Sequence, residues 1–421
     1  MSMGFKLRLK AKVRSAYEME VNVMRDANKG KRKRGAAFLL LNACMLVLTA
    51  CGGQGTMNGD GTEREVIKKP DKTITVIDNP PVETDHQMEV AHIDELKGIQ
   101  GLDWLSENKI IVNKDNIKMK PATIEGEQRY PRNLYIRDLA APDQEDKVLV
   151  EAPDNQSFAL LSADKKYLFY KKNIEDTATG YIMNMATRES VRTGKGELHA
   201  NEGEWIDNER VIFSLITGSI VTSDVTGHTE VVLPVEEIVQ NATKASERNA
   251  TIVPKADYSI LNATQRGSTV YYTSGQDKLY AYNLETKEKK ILERKVIWFV
   301  PTHDNTQTAL VKRTSETEME LTVTDSGLQK KLTLAKGTQI YGMSWSPDGT
   351  KLVYMVISQG DGVNGIFVAD TVSGKTTPIA VDAKNGSGLL RWSPSGSKLL
   401  TSSAVLEDNK YIFYTYVISF Q

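Results

Sequence analysis

Cysteine is nearly missing from this chain: Cys44 and Cys51 are the only two in 421 residues. No disulfide can staple the body of the protein, so its core has to come from apolar burial. Histidine is scarce as well. His86, His92, His199, His228 and His303 are scattered, without the spacing of a metal site. A Gly-x-Ser-x-Gly elbow is missing, and with it the signature of an α/β-hydrolase nucleophile. No Gly-rich phosphate-binding motif precedes a helical pattern. The longest apolar run, residues 35–50, is broken by Asn42 and falls short of the roughly 20 residues of a stable membrane span. Cationic surplus is also missing past residue 50, where 42 Lys/Arg stand against 51 Asp/Glu, a net charge of −9. An acidic body speaks against a nucleic-acid partner, because such a surface needs cations to replace counterions. These absences leave no catalytic residue, no metal ligand and no cofactor to expect.

What is present begins at the N-terminus. Lys31-Arg-Lys-Arg34 precedes GAAFLLLNACMLVLTA (35–50), and Cys51-Gly-Gly follows. A basic block, a short apolar run and small residues at a cut site make a secretory signal peptide over residues 1–50. The 34 residues before the apolar run are long for such a leader, and a start at Met24 gives one of ordinary length. Leu48-Thr-Ala-Cys51 resembles the bacterial lipobox. The resemblance implies that Cys51 is acylated and becomes the first residue of the mature chain. Cys44 is then removed, and the remaining thiol is consumed by lipid. Two acyl chains meet the two-signal requirement for stable anchoring. The expected location is the cell membrane, lipid-anchored on its extracytoplasmic face. Residues 51–71, Gly-rich and polar, read as a flexible tether.

The stretch MSWSPDGTKLVY (343–354) returns as LRWSPSGSKLL at 390–400. Ser-Pro-Asp-Gly suits a type I turn, with Pro presetting φ at its second position. Alternating residues precede it and a β-rich run follows, which reads as strand, tight turn, strand. Fainter copies extend back along the chain, with anchors at Trp104, Leu161, Trp205, Ala263, Thr302, Trp345 and Trp392. Four short strands per repeat of some 45 residues mark a propeller blade, whose faces are buried only by its neighbours. Seven anchors predict an all-β, seven-bladed propeller over residues 72–421, with six or eight blades left open. The last unit runs short, so an early strand, Lys72–Asp78 or Met88–Ile93, is expected to complete it and remove an open edge.

The WSPDG and WSPSG copies, each followed by a hydrophobic strand, resemble the TolB-type, WD40-like β-propeller repeat. The resemblance is strong in the last two units and faint elsewhere. It implies a ring of the kind that serves as a protein-binding module in the bacterial envelope or as a gating domain of prolyl peptidases. The expectation is a non-catalytic, monomeric binding module for an envelope protein or a cell-wall polymer. The alternative is an enzyme acting on a saccharide or peptide in the central funnel. In this repeat the first–second and third–fourth turns share one face, and they read as short. The second–third loops and blade links share the other, where Asn113–Arg132, Ile357–Asn364 and the helical-looking link 235–250 carry extra length. Insertions gathered on one face mark a candidate binding surface. Arg129, Tyr130, Arg132 and Asp361 are its candidate contact residues, the first three being arginines and a tyrosine of the kind favoured at interface hot spots.

Overall fold

The computed structural model describes residues 68–69, 72–73, 88–124, 127–174, 177–234, 260–329, 331–359, 364–380, 390–407 and 410–421. The expected leader with Met24, Cys51 and most of the expected tether lie outside them, as do Asp361 and the link 235–250. Two compact units divide the chain at residue 86. In the first, Lys68–Lys69 pairs antiparallel with Lys72–Thr73.

The second unit is a seven-bladed β-propeller of four-stranded antiparallel sheets. Blade 1 is built from Gln100–Ser106, Lys109–Asp115, Arg132–Asp138 and Lys147–Val150. Blades 2 to 6 follow in chain order, from Asn155 to Ala380. Blade 7 takes Arg391–Trp392, Lys398–Glu407 and Lys410–Phe420 from the C-terminus, and Val90–Lys97 as its outermost strand. The later of the two early segments therefore closes the ring, with Ile93 opposite Ile418 and Lys97 opposite Tyr414.

One core fills each seam between neighbouring blades. Ile111, Leu134, Leu161 and Leu168 belong to the core between blades 1 and 2. Ala309, Leu321, Leu352 and Tyr354 belong to that between blades 5 and 6. Burial on both sheet faces explains why the second strands read as nearly unbroken apolar runs, such as Lys351–Ile357.

The repeated tryptophan has a second task. The Trp345 indole N–H donates to Val300 O at 2.9 Å, and Trp392 to Ser344 O at 3.0 Å. Trp205 reaches Leu160 O and Trp104 reaches Arg391 O, both at 2.9 Å. Each tryptophan thus latches its blade to the inner strand of the blade before it.

Strand register identifies the same position in every blade. Trp345 lies opposite Leu352, Gln265 opposite Val270 and Pro301 opposite Thr308. The anchors of blades 4 and 5 are therefore Gln265 and Pro301, not Ala263 and Thr302. In blade 4 a bulge between Leu261 and Thr264 displaces the pattern. In blade 5 Thr302 occupies the place of Ser346: Gln307 N donates to its hydroxyl, as Lys351 N does to Ser346 Oγ.

The Ser-Pro-Asp-Gly turn forms as its sequence dictates. Gly349 N donates to Ser346 O, and the Asp348 carboxylate accepts from Ser346 Oγ and Thr350 N. Gly349 has φ 71°, a left-handed conformation that glycine adopts without strain. The third–fourth turns have their own device. Asn184, Asp224, Asn283 and Asp370, each closing a third strand, accept backbone N–H groups two residues on.

The latch yields a stability prediction. Trp345→Phe keeps the ring packing but removes the indole's bond to the partly buried Val300 carbonyl, at a cost of about 0.5–1.5 kcal/mol. Urea denaturation of the variant should show a lower midpoint at unchanged slope. An unchanged midpoint would show that the indole bond contributes nothing.

Candidate functional site

The two faces of the ring differ. On the face of the first–second turns, the chain enters the ring near Met88 and ends at Gln421, whose N–H donates to Glu89 O at 3.0 Å. Turns here are short in most blades. Blade 1 departs from that expectation, with an eight-residue third–fourth turn, Leu139–Asp146. Its Asp146 is buried and closes an ion cluster with Lys114 at 2.5 Å and Arg137 at 3.1 Å.

On the opposite face, the second–third connections differ in length from blade to blade, with seven residues, 358–364, between those strands in blade 6. Blades 3, 4 and 5 turn within five residues between second and third strands. Blade 1 inserts residues 116–131, which carry a small hairpin, Ala122–Ile124 against Glu127–Arg129. Blade 7 has the two longest strands of the ring, and its hairpin overshoots the outer strand, which ends opposite Tyr414. Sequence reasoning read these strands as a short last unit completed by an early strand, as blade 7 is, but did not foresee their extra length. The signal was present in two unbroken β-rich runs separated only by Glu407–Lys410.

The insertion is fixed at its foot. Asn116 is buried, donates to Asn133 Oδ1 at 2.9 Å and to Glu151 Oε1 at 3.0 Å, and its N–H bonds Pro131 O. Lys118 pairs with Glu145 at 2.6 Å. These bonds fold the start of the insertion outward across blade 1. Above the foot, apolar groups face solvent: Ile117 is 75% exposed and Tyr130 36%, while Leu406 and Tyr411 at the blade 7 tip are 57% and 45%.

Arg129 and Tyr130 lie where the sequence placed them, exposed on the insertion. Arg132 does not sit on an open loop. It is the first residue of the third strand, and Nε donates to Asn113 Oδ1 at 2.5 Å, while Nη2 donates to Asn113 O at 2.9 Å. Its guanidinium pairs with Asp115 at 3.1 Å and stacks 4.4 Å from the centre of the Phe413 ring. Burial pulls its pKa below the ordinary value, with Asp115 opposing. Arg132 therefore ties the insertion of blade 1 to the hairpin of blade 7 and holds the two extensions as one surface.

Beneath this surface runs a buried belt that sequence reasoning missed. The fifth residue of each second strand is buried: Asn113, Lys171, Ser214, Thr273, Val311, Met355 and Ser402. In blades 7, 1 and 2 it is polar and reaches the next blade or the link leading to it. Ser402 Oγ donates to Gly101 O at 3.1 Å, and Asn113 Nδ2 donates to Gln156 O. A Cβ on Gly101 would meet Leu400 and Thr415 side-chain atoms at 2.8 Å, so this close approach requires glycine. Lys171 Nζ donates to His199 O at 2.6 Å and to Glu202 O, and lies over the Phe158 ring at 4.6 Å. In sequence its only signal is a lysine pair inside YLFYKKNI, which alternation cannot assign to the core.

Burial drives the Lys171 pKa down to about 7, against the attraction of Glu202. The unfolded chain holds this proton up to about pH 10.4, whereas the folded chain releases it near 7. Between those values the unfolded state binds more protons, so stability rises with pH. Lys171→Met should abolish that rise, which has a slope of at most about 1.4 kcal/mol per pH unit. Parallel denaturation curves from pH 7 to 10 for the two proteins would refute the assignment.

No group of three or more His, Cys, Asp or Glu side chains poised for a metal occurs among the described residues. No helix there is long and apolar enough to cross a membrane.

No family model matches the sequence, and no curated protein matches it. Solved structures do match. An oligogalacturonate lyase in complex with manganese aligns with TM-score 0.55 and 13% identity, over 80% of this chain and 96% of that one. The β-propeller domain of Cps50 (Swd1) from Myceliophteria thermophila aligns with TM-score 0.51 and 11% identity, over 79% and 99%. The fold is that of a β-propeller. At these identities the likeness extends to architecture alone. TolB from Acinetobacter baumannii is also among the matches, with TM-score 0.42, 16% identity and coverage of 65% and 64%.

Proposed function

We propose that this propeller is a lipid-anchored binding module on the extracytoplasmic face of a bacterial cell membrane, attached through Cys51. Its ligand is an envelope protein or a cell-wall polymer, held on the face that carries the blade 1 insertion and the blade 7 hairpin. The observation that carries this reading is the polarity of the ring. The chain enters at Met88 on the short-turn face, while the insertion and the overshooting hairpin lie on the other. The entry of the chain into the propeller and its extensions are thus on opposite faces of the ring. Exposed Tyr130 and Tyr411, with Ile117 and Leu406, give that face apolar and aromatic contact area, the kind that dominates interface energetics. Beneath it Asn113, Asn116 and Arg132 are hydrogen-bonded, which helps to preorganise the surface. The rival reading, an enzyme working in the funnel, has the fold as its only support.

Photo-crosslinking in intact cells tests the working face. A crosslinker at Tyr130 or Leu406 should capture a repeatable partner, whereas one at Val372, 84% exposed on the short-turn face, should not. The reverse pattern would invert the assignment of faces. Replacing residues 117–130 by a four-residue turn should abolish capture while the ring still unfolds cooperatively, since a shorter loop closes at less entropy.

The anchor is tested separately. Cys51→Ser should leave unprocessed precursor or release the protein from membranes. Detergent-dependent association that survives the substitution would remove the lipoprotein reading.

A further inference from the structure

The seven seams are not equally closed. Six have cores of six to ten buried apolar residues. The seam between blades 4 and 5 has four: Leu279, Val296, Phe299 and Leu310. At this seam the anchor position is Pro301, which has no side-chain N–H to latch the neighbouring blade. The seams headed by Leu161 and Gln265 also lack an indole bond, but they have cores of nine and eight residues. They carry polar bonds as well: Leu161 N to Asp103 Oδ2 at 2.8 Å, and Arg266 to Glu204 at 2.8 Å.

At the blade 4–5 seam, ion pairs stand where the apolar core is thin. Glu293 on the outer strand of blade 4 pairs with Lys312 at 3.2 Å and Lys331 at 3.3 Å, both on blade 5. Asp277 meets Arg313 at 3.4 Å, and its carbonyl accepts from Val296 N at 2.8 Å. A cavity of about 490 Å³ opens beside these pairs, lined by Leu292, Glu293, Ser326, Leu328, Gln329 and Lys331. Leu292 in its lining is exposed.

We propose that the ring has a built-in gate at the seam between blades 4 and 5, held shut by ion pairs and opened by ionic strength. Partly exposed pairs are screened by salt, whereas the apolar cores of the other seams are not. Opening separates blade 5 from blade 4 and uncovers Phe299 and Leu310, while each sheet keeps its own ladder. The gate does not depend on Cys51 or on the identity of any ligand.

The cysteine-free body offers a direct test. In the full chain with Cys44 and Cys51 changed to Ser, Leu310→Cys reports on the blade 4–5 seam. Leu352→Cys, equally buried, reports on the blade 5–6 seam. Thiol labelling under native conditions should be about tenfold faster at position 310, the ratio expected for a local opening easier by one decade. Raising NaCl from 0.05 to 0.5 M should accelerate position 310 and leave position 352 unchanged. Adding Glu293→Gln should accelerate position 310 at low salt and flatten its salt response. Equal labelling at the two positions, a common response to salt, or a position 310 rate indifferent to both salt and Glu293→Gln would each overturn the proposal.

Discussion

Everything in this ring depends on burying the second face of each sheet. A four-stranded blade has two faces, and the second strands here are apolar on both. Only a neighbour on either side removes them from water, so no blade is stable alone and the ring has to close. Val90–Lys97 completes that closure by adding the outer strand of blade 7. The first and last strands of the ring thereby meet in one blade, where Gln421 N donates to Glu89 O.

Upon that constraint the chain superimposes two kinds of polar specification. Indole N–H groups latch four seams near the inner strands. A belt of buried polar side chains tightens blades 7, 1 and 2, where Ser402, Asn113 and Lys171 each reach forward. That sector also carries the insertion and the long hairpin. Rigidity and decoration thus coincide, and the Arg132–Phe413 stack joins them. On the far side, the seam between blades 4 and 5 exchanges apolar burial for ion pairs. The decorated sector carries the buried polar belt, and the seam with the smallest apolar core lies opposite it.

Much of the architecture is legible in the chain itself. The WSPDG copies set the repeat, Ser346 and Gly349 set its turn, and apolar second strands set its packing. Each of these is a local pattern with a local cause. The anchors at Ala263 and Thr302 misled because a bulge and a Thr-for-Ser exchange shift the phrase by one or two residues, which only strand register reveals. The candidate site was half legible. Length and composition pointed to residues 113–132, and Arg129 and Tyr130 are exposed there. Arg132 shares their chemistry, yet its partner Phe413 lies 281 positions along the chain, a separation no local pattern records.

The sequence by itself determined the repeat, the strand-turn-strand grammar, the acidic body and the resemblance of Leu48–Cys51 to a lipobox, because these depend on residues a few positions apart. Tertiary structure alone decided which early strand closes the ring, which face carries the chain's entry and which the extensions. It also decided that Lys171 is a core residue and that ion pairs cross the seam with the smallest apolar core. Those properties arise where blades meet, and meeting is fixed by ring closure rather than by neighbours in the chain.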